Sequence, residues 1–405
     1  MRDHMRHLSL TLVIFLLLTH TLFAEVSPMK SNDAEALSQA NTRFALDLYA
    51  ALTAGKDDNV AFSPFSISTA LAMTWLGART ETATQMQSTL RFESGAESAA
   101  ASFEGLLGVL DAKDKPYALA LANRLWGQKG YDFLPAFLEL SKKHYGAALQ
   151  EVDFQGDPEK TRKTINDWVE SKTAKKIKDL LAEGLIVPDT RLVLTNAIYF
   201  KGKWKTAFDK GDTFPAVFKS PGGDSDAQFM TKEATFGYAD TLTAQLLEMS
   251  YDGDELSLVV VLPKATDGLA DLEKGLSVET LETWMASFAQ EKVLVQLPRF
   301  KAEGSVRLDD TLKDLGMKLA FSDDADLSGL NGRTDLKITA VVHKAFVEVN
   351  EEGSEAAAAT AVVVGPKGAA GPSDNNVLRA DHPFLFLIRH KSTNTLLFLG
   401  RVTKP

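Results

Sequence analysis

The chain has seven histidines, no cysteine and 54 acidic residues, and their spacing gives covalent chemistry little to work with. Only His144, His343, His382 and His390 lie beyond the first twenty residues, and none falls in an HExxH, GxSxG, GxxxxGK[ST] or GxGxxG pattern. Without those spacings a nucleophile has no matched base, a zinc ion has no pair of ligands on one helix face, and a phosphate has no glycine cradle. The carboxylates at Asp252, Asp254 and Glu255, and at Asp323, Asp324 and Asp326, lack the alternating layout of a calcium loop and read as solvated turns. Lys172, Lys175, Lys176 and Lys178 alternate with apolar residues as a solvated helix face does, with a polyanion site as the alternative. The reading is of a protein with no cofactor, no metal and no catalysis of its own.

One stretch suits a different chemistry, the exchange of backbone hydrogen bonds. Glu351 to Lys367 reads EEGSEAAAATAVVVGPK. After Ser354 it has none of the Asn, Asp, Ser, Gly or Pro that turns rely on until Gly365. In steps of two, Ser354, Ala356, Ala358, Thr360, Val362 and Val364 share one face of an extended chain, and Glu355, Ala357, Ala359, Ala361 and Val363 share the other. Small side chains on both faces would let this segment slide between two strands, and no proline before Pro366 removes a ladder donor. The alternative is an Ala-rich helix with Glu351, Glu352 and Glu355 at its N-terminus.

A segment of this kind needs a sheet to enter. Strand patterns occur at Ala118–Gly127, Arg191–Phe200, Glu255–Leu262, Lys292–Leu297 and Leu336–Val349. Helical periodicity runs from Asn32 to Leu52 and from Ser66 to Leu90, with Ser63 and Ser66 read as turn and cap residues. Arg162–Leu181 is predicted to be an amphipathic helix lying on something flat, with Ile165, Trp168, Val169, Ile177, Leu180 and Leu181 near one face. With 45% hydrophobic and 24% charged residues the chain can build a sizeable core, and its net charge of −10 argues against a nucleic-acid partner.

Arg2 and Arg6, the apolar run Leu8–Leu18 and the segment to Ala24 have the three regions of a secretory signal. Residues 1–24 are therefore expected to be a signal peptide on an exported protein, extracellular or periplasmic, with an uncleaved anchor as the alternative. The run is too short to span a bilayer comfortably.

Seven collinear segments then resemble one family. FSPFSISTALAM (62–73), INDWVESKTAKKIKDLL (165–181), LTNAIYFKGKW (194–204), LEMSYDG (247–253), LPRFK (297–301), VHKAFVEVNEEGSEAAAAT (342–360) and DHPFLFLIRHKSTNTLLFLGRV (381–402) look like the serpin superfamily of serine protease inhibitors. The resemblance covers about residues 35–405 and is to an inhibitory member, expected to be prokaryotic.

The resemblance implies one α/β domain over residues 25–405, with a large, mostly antiparallel central sheet, two smaller sheets, surrounding helices and an exposed reactive-centre loop at about 351–381. It implies a monomer that acts on a trypsin-like serine protease as a suicide substrate. A cysteine protease is the lesser alternative target, and neither nucleic acid nor membrane is expected as a partner. After cleavage the loop would insert into the central sheet and drag the acyl-enzyme with it. The fourteen residue steps from Gly353 to Lys367 amount to roughly 45 Å of strand. A protease so displaced would lose its triad geometry, which tolerates very little misplacement.

Family spacing from the hinge glycine puts the scissile bond at Lys367-Gly368. The stretch Gly368–Ala380, longer than the family's, leaves Arg379 as a second basic candidate. The hinge would be Glu351, Glu352, Gly353, Ser354, Glu355, Ala356, Ala357, Ala358, Ala359 and Thr360. Ser63, Ser66, Asn196 and His343 would form a polar cluster where the strands part, and Trp204 would sit where the loop enters. The alternatives are a core histidine, a core tryptophan and, for the whole chain, a non-inhibitory binding or chaperone-type role.

Overall fold

The structure is a computed structural model that describes residues 31–110, 114–147, 149–354 and 376–405. The apolar spacing of the first stretch gives α1 (Ser31–Thr53), followed by β1 (Val60–Phe62) and α2 (Pro64–Trp75). Ser63 caps α2, its Oγ accepting the Ser66 amide at 3.1 Å, and Pro64 occupies the first turn, where no donor is missed. The stretch expected to be helical from Ser66 to Leu90 is two helices. Gly77 passes so close to Leu330 that a Cβ would lie 2.2 Å from its Cδ2, and Thr80, at φ +50°, starts α3 (Thr80–Thr89). All twelve residues of α2 are buried, so it is a central helix with no solvated face.

The chain continues through α4 (Ala96–Leu110), β2 (Tyr117–Gln128), α5 (Pro135–Tyr145), β3 (Gln150–Val152), α6 (Pro158–Lys172) and β4 (Leu192–Lys203). Next come β5 (Phe214–Phe218), β6 (Ser225–Asp240), β7 (Ala244–Ser250), β8 (Leu256–Pro263), α7 (Leu269–Lys274), α8 (Val278–Ser287) and β9 (Ala289–Pro298). The last described elements are β10 (Phe300–Arg307), α9 (Asp309–Asp314), α10 (Ser328–Asn331), β11 (Ala340–Asn350), β12 (Gly353–Ser354), β13 (Asn376–Arg379), β14 (Phe384–His390) and β15 (Thr395–Val402).

These strands form two sheets. One has six strands in the order β10-β11-β12-β4-β2-β3, and the other runs β1-β15-β14-β8-β7-β6-β9-β13 with β5 beside β6. Most pairs are antiparallel; β11–β4, β2–β3 and β13–β9 are parallel. The second sheet joins the two smaller sheets of the expectation, because the sixteen-residue β6 pairs with β5 and β9 along most of its length and with β7 at its end. Helix α2 lies between the sheets, touching β2 and β4 on one side and β15 on the other. This is the mixed α/β architecture expected.

The predicted helix Arg162–Leu181 stops at Lys172. Thr173 donates its hydroxyl to the Val169 carbonyl, and Ala174 and Lys175 take φ of +49° and +63°. Asn166 then clamps the returning chain, its carboxamide exchanging bonds of 2.8 and 3.0 Å with the Leu181 backbone. The apolar face survives the break. Ile165, Val169, Ile177, Leu180 and Leu181 are buried in one cluster with Ala122 and Trp126 of β2, Val193 and Ala197 of β4, and Ala340, Val342 and Phe346 of β11.

Candidate functional site at the parting of β4 and β11

Strands β4 and β11 are paired in parallel from Val193 and Ala340 to Tyr199 and Phe346, seven positions in all. Beyond that point they separate, and β12 lies between them. Val349 pairs with Ser354 and Asn350 with Gly353 on one flank, while Lys203 pairs with Gly353 and Gly202 with Ser354 on the other. The sheet is thus closed over most of its length and opens at one end around two residues of the hinge. Only a glycine fits at 353, since a Cβ there would stand 1.9 Å from the Gly202 carbonyl oxygen.

A polar frame fixes this opening. The Trp204 indole donates to the Asn350 carbonyl at 2.8 Å, and its amide donates to the Glu352 carbonyl at 2.9 Å. Its ring stacks on Tyr251 at 4.5 Å, and the Tyr251 hydroxyl meets the Ser354 hydroxyl at 2.6 Å. Both residues of that hydroxyl pair are fully buried, and burial pushes the Tyr251 hydroxyl well above its ordinary pKa. Glu351 is also buried. Burial alone would raise its carboxyl, but bonds from Arg299 at 2.6 and 2.7 Å and from Thr213 at 2.5 Å hold it below the usual range. Glu352 is at the surface, paired with Lys210.

A second cluster lies under the closed part of the seam. His343 and Asn196 face each other across the β4–β11 pairing, and Asn123 faces Asn196 across β2–β4. The Ser63 amide donates to His343 Nε2 at 3.1 Å, so the proton sits on Nδ1 and is donated to Asn196 Oδ1. The Asn196 amide reaches Ser66 O, Ser66 Oγ and Asn123 Oδ1 at 2.5, 2.8 and 2.6 Å, and Ser66 Oγ donates to Asn123 Oδ1 at 2.9 Å. Full burial keeps the imidazole neutral and pushes its pKa down to about 3, against a smaller opposing contribution from Asn196.

The structure therefore brings Ser63, Ser66, Asn196 and His343 into one network, and gathers Glu351, Glu352, Gly353, Ser354 and Trp204 at the opening. Glu355, Ala356, Ala357, Ala358, Ala359, Thr360, Lys367, Gly368 and the proposed signal segment lie outside the described residues. Arg379 lies in β13, paired with Gln296 of β9 and 3.4 Å from Asp381.

Sequence reasoning missed Asn123, Tyr251 and Arg299. Asn123 carried a signal, a carboxamide that follows the apolar run Tyr117–Ala122 in the middle of its strand. Tyr251 and Arg299 carried none beyond their place in two of the matched segments. Among the described residues no group of three or more His, Cys, Asp or Glu could hold a metal ion.

Fold and site together define a protein whose central sheet holds the first residues of a further strand at an opening in its own ladder. A family model described as serpin (serine protease inhibitor) matches residues 39–405, and the chain belongs to that family. It is 46% identical over 382 residues to the leukocyte elastase inhibitor of Homo sapiens, covering 92% of this chain and all of that protein. It is 42% identical over 390 residues to serpin B3 of Homo sapiens, covering 91% and 100%. The crystal structure of uncleaved ovalbumin superposes with a TM-score of 0.82 at 31% identity, covering 91% of this chain and 100% of that one.

These relatives overturn the expectation of export. Leukocyte elastase inhibitor and the serpin B proteins are intracellular and lack signal peptides. They lend no support to the expected prokaryotic source either, since both are human proteins.

Proposed function

We propose that the chain is a suicide-substrate inhibitor of trypsin-like serine proteases, with cysteine proteases as a lesser target class. Cleavage at Lys367-Gly368 releases the segment that follows Ser354, which then extends β12 down the seam between β4 and β11. Lysine before the bond suits a specificity pocket that carries an aspartate. The observation that carries the reading is the seating of Gly353 and Ser354 between β11 and β4, where the next residues of the strand would meet the seven paired positions of the closed seam.

Each residue that enters exchanges one β4–β11 pairing for two pairings, one on each flank. The gain is about 0.5–1.5 kcal/mol for each added hydrogen bond. Small side chains at Ala356 to Thr360 would enter without clash. The Asn196–His343 contact crosses the seam and would have to break, leaving polar groups that an inserted strand can re-pair.

Incubation with trypsin tests the proposal. A complex that survives boiling in detergent is expected, together with a released peptide whose N-terminus is Gly368. If every Lys-specific protease yields only a nicked chain, inhibition is refuted and the non-inhibitory binding or chaperone-type reading stands in its place.

A further inference from the structure

Arg124 projects from β2 toward α6, and its Nε is buried with no hydrogen-bond partner. No carboxylate among the described residues is paired with it. Its guanidinium instead lies 4.3 Å from the Trp168 ring of α6 and 5.4 Å from the Trp126 ring of β2. The two indoles meet edge to face at 5.3 Å, and the Trp126 indole donates to Thr195 of β4 at 2.8 Å. Aromatic faces hold this cation where a salt bridge would be expected, and burial lowers the Arg124 pKa in keeping with that.

The layer formed by α6 and residues 173–181 spans the seam. Its apolar residues share one cluster with β2 and β4 on one side and β11 on the other. The β11 side holds the layer as well: Lys344 of β11 donates to the Lys178 carbonyl at 3.2 Å, and Lys176 has the Phe346 ring at 5.8 Å among its contacts. When the seam opens, β2 and β4 move as one body because they stay paired from Tyr117 to Gly127. A layer gripped equally by both sides would resist the opening. A layer gripped by one side is carried along with it.

We propose that Arg124 is a positioning residue for strand entry. Its stack on Trp168 assigns α6 to the β2–β4 body, so that the layer releases β11 when the seam parts. The inference rests on the reading that a strand enters between β4 and β11, and it reverses the simple expectation that loosening a cover speeds entry beneath it. Without the stack the layer stays spread over both halves, its β11 contacts persist, and entry slows.

The test measures how fast the intact chain takes up a synthetic peptide of its own sequence, Ser354 to Lys367, as an added strand, followed by the rise in thermal midpoint. Arg124→Leu is expected to slow uptake by roughly fivefold, as the loss of one partly desolvated cation–π contact implies. Arg124→Lys should restore most of the rate. Trp168→Phe, which keeps an aromatic face, should slow uptake less and serves if Arg124→Leu folds poorly. With trypsin, Arg124→Leu should consume more inhibitor molecules per protease trapped.

Uptake by Arg124→Leu at the wild-type rate or faster would overturn the proposal while leaving insertion intact. Failure of Arg124→Lys to restore the rate would also overturn it, by showing a role in packing alone. If the wild-type chain takes up no peptide, the insertion reading fails and this inference falls with it.

Discussion

Ser354→Arg confronts strand insertion at the last described residue of the hinge. Ser354 is completely buried, flanked by Val349 and Gly202, with its hydroxyl on Tyr251. Arginine there would bring a guanidinium into a fully buried position, at a cost of several kcal/mol, and would strand the Tyr251 hydroxyl at a further cost of about 1–3 kcal/mol. The hinge would be expelled from the opening, and insertion after cleavage would have to bury the same charge. Trapping is a race between insertion and hydrolysis of the acyl-enzyme, so a barrier raised by ~3 kcal/mol slows insertion by roughly a hundredfold. Gel analysis after mixing with trypsin should show a nicked chain in place of the detergent-stable complex, while Ser354→Thr, which keeps the hydroxyl, should still trap. Undiminished trapping by Ser354→Arg at wild-type stoichiometry would refute the reasoning, because the site could then not be one that the strand must enter.

Tyr251→Phe leaves the Ser354 hydroxyl without its partner and should lower stability by about 1–3 kcal/mol in denaturant unfolding, with the largest rise in hydrogen exchange at 353–354. Gly353→Ala places a methyl group on the Gly202 carbonyl, so the loss of protection in β12 should exceed that in Tyr251→Phe under the same assay. His343 gives a pH dependence whose sign follows from its depressed folded-state pKa. The unfolded chain binds a proton near pH ~6.5 and the folded chain only near 3, so the contribution is intact above ~6.5 and is lost as pH falls between the two, by ~1.4 kcal/mol per unit. His343→Asn should flatten that part of the stability curve, and an unchanged slope would exclude His343 as its source.

Residues 351–354 show where the sequence stopped being informative. Two-residue alternation predicted that Ser354 could face inward, because side-chain direction in a strand follows from backbone geometry alone. That Ser354 already lies between two strands depends on where β11 and β4 diverge, which no local pattern encodes. The helices show the same limit. Periodicity from Ser66 to Leu90 and from Arg162 to Leu181 marked the apolar positions correctly, yet both stretches break. Gly77 must clear Leu330, far away in the chain, and Thr173 and Asn166 satisfy the backbone that leaves α6.

The sequence by itself determined five of the strands, the helical character of three stretches, the absence of patterned catalytic residues, and the small-residue composition of the stretch after Gly353. Each of these rests on residue type and near-neighbour spacing. Only the tertiary structure decided that Asn123 completes the network of Asn196 and His343, that Tyr251 receives Ser354, and that Arg124 binds Trp168 in place of a carboxylate. Those contacts join residues separated by dozens to hundreds of positions, and what fixes them is strand register in the six-stranded sheet together with the packing of the second sheet and α6 against it, a property that no single element carries.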